Sequence, residues 1–151
     1  MDNILNQLEA FLREKKVKFA RENSCIIIPY ADDERVFLSI LYMVETRRIL
    51  IDTLTRVNPE VPNETVLQVV NSINHDSHGT FVFSSTFQEE PVIIARTLSD
   101  PLHNPEDLHE VVAIAFGHSR LLEKVLKLVA HLCQESNSPD VLFPDISFIP
   151  A

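Results

Sequence analysis

VFLSILYMVETRRILIDTLTRV, residues 36 to 57, runs without a glycine or a proline, and how it folds decides the fold of the chain. With a period of two it makes a hairpin. Val36, Leu38, Ile40, Tyr42 and Val44 share one face of the first strand, the polar residues Glu45 to Arg48 turn the chain, and Ile49, Ile51, Thr53, Thr55 and Val57 share one face of the second. A helical period also finds apolar residues, at Val36, Ile40, Met43, Val44, Leu50, Ile51, Leu54 and Val57. The β-branched and aromatic content and the polar break favour the hairpin.

Outward from the hairpin, the pattern alternates helix and strand. Upstream, Ile4, Leu5, Leu8, Phe11 and Leu12 fall at helical spacing, and SCIIIPY (24 to 30) reads as a strand stopped at Pro29. Downstream, Pro59 and Pro62 open a helix that carries Val66, Leu67, Val69, Val70 and Ile73 and closes near His75 to Gly79. TFVFSSTFQ and EPVIIARTLS predict a second hairpin turning at Gln88 to Pro91. NPED (104 to 107) marks a helix start, with Asn104 as N-cap, Pro105 in the first position and two acids against the positive helix end. The helix extends to about residue 134, and Gly117 is the place for a kink or a split. The predicted order is α-β-β-β-α-β-β-α, an α+β domain over 1–135. A tail, 136–151, follows with three prolines. Its Val141, Leu142, Phe143, Ile146, Phe148 and Ile149 are too apolar for a solvated linker, so it is expected along a groove of its own domain or on another chain.

Composition narrows the function. A formal charge of −9 argues against a nucleic-acid partner, because phosphate affinity comes from Lys and Arg that displace counterions. Arg13, Lys15, Lys16, Lys18 and Arg21 gather after the first helix, where the macrodipole and water favour cations. Only Gly79 and Gly117 are present, too few for a phosphate-cradling loop. The start of the chain lacks the basic, apolar layout of a signal peptide, and no run has the roughly 18 apolar residues of a membrane span. Cys25 and Cys133 are expected as free thiols in a cytoplasmic protein.

Catalytic and metal chemistry find no constellation. His75 and His78 share a helical face if the helix persists, but zinc needs three or four ligands and HExxH is absent. A helix end closed by Gly79 explains the same residues. His109, His118 and His131 are spread along one helix, and GxSxG, CxxC and DxDxDG are all missing. No catalytic residue, metal or cofactor is expected.

The amphipathic NILNQLEAFLREKKVKF (3 to 19), the passage VPNETVLQVVNSINHDSHGTFVFSS (61 to 85) and the capped NPEDLHEVVAIAFGHSRLLEKVLKLV (104 to 129) together resemble the type III secretion chaperone-like fold, and within it the YbjN group of bacterial proteins. The resemblance covers residues 2 to about 134. It implies an antiparallel sheet with helices mainly on one face, commonly a homodimer, and a groove formed by the first helix and the sheet that holds an apolar segment of a partner protein. On this basis Val36, Leu38, Ile40 and Tyr42 are the expected partner-binding residues, and Val66, Val70 and Ile73 the expected dimer face. Ordinary core is the competing reading for all seven. A YbjN-type stress or sensory regulator that binds a small ligand or metal is the alternative function.

Overall fold

The computed structural model describes residues 3–75 and 79–136. Residues 36 to 57 are a hairpin: β3 (Val36–Glu45) and β4 (Arg48–Arg56) pair antiparallel, with a bulge between Met43 and Glu45. Before it come α1 (Ile4–Glu14), a two-residue β1 (Ala20–Arg21) and β2 (Cys25–Ala31). After it come α2 (Asn63–His75), β5 (Thr80–Phe87), β6 (Glu90–Leu98) and α3 (Pro105–Ser136). The fold is α+β, as expected, with one strand more than the predicted order. Too short to leave a period, β1 forms because Ala20 and Arg21 pair with Ile27 and Ile26.

The six strands make one antiparallel sheet in the order β1-β2-β3-β4-β6-β5. All three helices pack on one face. Near one end of the sheet, α1 buries Ile4, Leu5, Leu8 and Leu12 together with Ile26, Ile28, Leu41, Ile49 and Ile51 of the strands and the first turns of α3. Near the other, α2 and the rest of α3 close over Phe37, Val57, Val82, Ile93 and Ala95. Val66 and Val70, expected on a dimer face, are 3% exposed in this second cluster, and Ile73 is half-buried against it. They are core, because the apolar stripe of α2 is consumed by the sheet and α3 of its own chain.

Helix ends follow their local chemistry. Asn3 caps α1, its Oδ1 accepting from Asn6 N–H at 2.8 Å. At Asn104 the observed bonds run the other way: Asp107 Oδ2 accepts from the backbone N–H groups of His103 and Asn104 at 2.8 and 2.9 Å, which holds its carboxyl below the usual range. Gly117 neither splits nor ends α3, which is helical throughout. With so few glycines, other residues take left-handed backbone: Lys16 closes α1 (φ 59°), and Gln88 and Glu89 (φ 51° and 66°) turn the β5–β6 hairpin. Two adjacent positive φ values are what a two-residue hairpin turn with the twist of its strands requires.

The outer edge of β5 is blocked in one place. Asn74, one residue before the end of α2, bonds both ways to Val82: its Nδ2 donates to the carbonyl at 2.6 Å, and its Oδ1 accepts from the N–H at 2.8 Å. The amide therefore occupies the position of a neighbouring strand. Asn74→Ala leaves both backbone groups without these partners at a fully buried residue. We expect a loss of about 1–3 kcal/mol in urea unfolding and concentration-dependent association through the freed edge. Unchanged stability and sedimentation would show that water replaces the amide at no cost.

Candidate functional site: the open face of the sheet

Alternation along each strand gives the sheet two unlike faces. Phe37, Ser39 and Leu41 of β3 point under the helices and are 4% exposed or less. Between them, Leu38, Ile40 and Tyr42 point to the other face, which no described element covers, and are half-buried; Val36 is 61% exposed. The four residues expected to bind a partner thus lie on one uncovered surface. Cross-strand pairing extends it: Ile27 pairs with Ile40, Leu38 with Leu54, Tyr42 with Leu50, Leu54 with Ile94, and Ile94 with Phe83. A groove of about 800 Å3 lies at one end, lined by Ile27, Leu38, Leu54 and Phe87 and by the polar Arg35 and Arg56. The groove expected between α1 and the sheet is not where the open surface lies, because the apolar residues of α1 are already buried on the opposite face.

An ion pair with a buried acid is set into this apolar surface. Arg96 on β6 grips Asp52 on β4 with two bonds of 2.8 Å, Nε to Oδ1 and Nη2 to Oδ2. Asp52 is 5% exposed, whereas the Arg96 side chain is 45% exposed, so the acid is covered by its partner and its neighbours. The guanidinium also lies 5.0 Å above the Phe83 ring, and Phe83 stacks on Phe81 at 5.9 Å. The bond to Asp52 raises the pKa of Arg96 further, and burial, followed by the charge of Asp52, raises that of Tyr42. The arrangement presents apolar area with a fixed ion pair set into it.

The face under the helices holds the feature that sequence reading missed. His118 of α3, 3% exposed, bonds through Nδ1 to Thr53 Oγ1 at 3.1 Å and through Nε2 to Thr97 Oγ1 at 2.6 Å. The chain continues from Thr53 to Ser39 at 2.8 Å and from Thr97 to Thr80 at 2.9 Å, so it links four strands to one helix. Desolvation pushes the His118 pKa down to about 4, partly opposed by the charge of Asp52. The imidazole is a neutral structural link, closed to substrate. Polar residues recurring on one face of β3 and β4 were the available signal, but their histidine lies 65 positions beyond Thr53.

The remaining histidine reading divides. His75 is exposed and is the last residue of α2, in agreement with a helix end, while Asp76 and His78 lie outside the described residues. Among the described residues no group of three or more His, Cys, Asp or Glu side chains could hold a metal ion, and no helix is long and apolar enough to cross a membrane. Cys25 and Cys133 are free thiols, both half-buried.

No protein-family model matches the sequence, and no curated protein matches it. Among solved structures it is similar to the crystal structure of YbjN, a candidate transcription regulator from E. coli, with a TM-score of 0.64 and 15% identity over 84% of this chain and 92% of that one. At such identity the likeness speaks for backbone architecture alone, and because it takes in nearly all of YbjN, the YbjN-like fold expected from the sequence is the fold this chain has.

Proposed function

We propose that this chain is a non-enzymatic protein-binding domain, a chaperone or adaptor that holds an extended apolar segment of a partner on the open face of its sheet. The observation that carries the reading is the run of paired apolar residues on the sheet face opposite the helices, with Leu38, Ile40 and Tyr42 half-buried, Val36 exposed and Leu54 buried beside them. A patch of this kind, with polar groups fixed at its middle, is what separates a docking surface from scattered surface hydrophobics. The homodimer implied by the chaperone-like resemblance belongs to the same reading and would present two such faces.

A pull-down compares the wild-type chain with Leu38→Asp and Ile40→Asp, followed by titration of the retained partner's apolar segment as a synthetic peptide. We expect one dominant partner and at least tenfold weaker peptide binding by both variants, with thermal unfolding little changed. Equal binding by wild type and variants would remove the open face from the mechanism.

A regulator that binds a small ligand is the second reading. It is favoured by the fold shared with YbjN and by the groove, whose volume of about 800 Å3 falls in the range of small-molecule sites. The charge of −9 steers either version away from direct contact with nucleic acid.

A further inference from the structure

We infer that the groove at the end of the open face is a binding site for a small amphipathic carboxylate, with the charged head held at Arg35 and the apolar tail lying beside Leu38, Leu54 and Phe87. The inference rests on the small-ligand reading given above and names the chemical class of that ligand.

The unequal treatment of three arginines is the first support. On the open face Arg96 is gripped by Asp52 through two bonds of 2.8 Å, and Arg56, on the groove lining, is paired with Glu90 at 2.7 Å. Arg35 lines the same groove, and its Nε is buried without a hydrogen-bond partner, the one side-chain atom of this kind among the described residues. Asp32, in the same turn, is already engaged: its Oδ1 accepts from the backbone N–H groups of Glu34 and Arg35, each at 2.8 Å. A buried guanidinium nitrogen without a partner carries its desolvation uncompensated, so an anionic acceptor brought to it gains a charge-assisted bond.

The rest of the lining is the second support. Ile27, Leu38 and Leu54 come from three neighbouring strands, which makes an apolar floor about 10 Å across, and Phe87 stands beside it at the end of β5. Glu34 is the lining's one acid and is exposed, so water and salt screen its charge. A chain with a formal charge of −9 therefore has a groove in which bases outnumber acids, Arg35 and Arg56 against Glu34. The volume of about 800 Å3 admits a small molecule. A bare inorganic anion would leave the apolar floor in water, and a neutral apolar molecule would leave the Nε of Arg35 unpaired. A carboxylate on a short apolar tail meets both conditions.

The test keeps the full chain and titrates it with octanoate, octanol and hexanoate, all below micelle formation, by calorimetry and by amide chemical shifts. Octanoate is expected to bind one to one, to shift the amides of Arg35, Val36 and Arg56, and to bind at least tenfold more tightly than octanol. Hexanoate, two methylenes shorter, should bind about fifteenfold more weakly than octanoate. In Arg35→Gln the advantage of octanoate over octanol should disappear, while octanol binds as it does to wild type. Equal affinities for octanoate and octanol in wild type, or an advantage retained in Arg35→Gln, would overturn the inference and leave the groove as a site for neutral apolar ligands. Shifts spread over the whole open face, with none concentrated at the groove, would overturn it as well. If no probe shifts the groove at all, the inference falls and the small-ligand reading loses its site.

Discussion

Phe37→Ala is expected to lose about 3–5 kcal/mol of stability, and Leu38→Ala, the next residue, less than about 1.5 kcal/mol. Phe37 is fully buried, with its ring 6.0 Å from that of Tyr30 and in one cluster with Val125, Leu126 and Val129 of α3. Truncation removes its contacts and leaves a cavity that two packed layers cannot easily close. Against a typical total of about 5–15 kcal/mol, such a loss brings the domain close to unfolding at ambient temperature. Leu38, on the open face, gives up only partial burial, and the site remains open to solvent. Urea midpoints for the two variants measure the contrast directly. A Leu38→Ala loss as large as that of Phe37→Ala would mean that something covers the open face tightly.

Stability is expected to fall by about 3 kcal/mol as pH is lowered from 6.5 to about 4, through His118 alone. The sign follows from its depressed pKa. Between those values the unfolded chain binds a proton on this histidine and the folded chain does not, so acid favours unfolding. Above pH 6.5 both states are neutral and the contribution is complete. Below about 4 both are protonated and nothing further is lost. Asp32 and Asp107, whose carboxyls are held below 3.8 by backbone N–H groups, contribute with the same sign at lower pH. Denaturant unfolding at pH 7.5 and 4.2 isolates the effect when wild type is compared with His118→Gln. The variant should be less stable at pH 7.5, because the Thr53 and Thr97 hydroxyls lose bonds, and should show a much smaller drop toward acid. Parallel pH curves for the two proteins would show that the buried imidazole is not the acid-sensitive group.

The sequence by itself determined the elements and their class. Helical spacing from Ile4 to Leu12, the proline-started helix before His75, the hairpin alternation and the start at Pro105 are local signals, because backbone geometry repeats every 3.6 or 2 residues whatever lies opposite. By the same local logic, Val36, Leu38, Ile40 and Tyr42 shared a face. Which face of β3 the helices cover was not legible. The even-numbered face is the more apolar of the two, yet the helices lie on the face with Phe37, Ser39 and Leu41. Tertiary structure decided this, because Ser39 and Thr53 become tolerable in a core only when His118 arrives from α3 to complete their hydrogen bonds. In the same way Val66 and Val70 became core once α2 met α3, and Asp52 became buriable once Arg96 crossed from β6. A period records that a side chain points to one side of its element, and only the assembled layers determine whether that side meets protein or water.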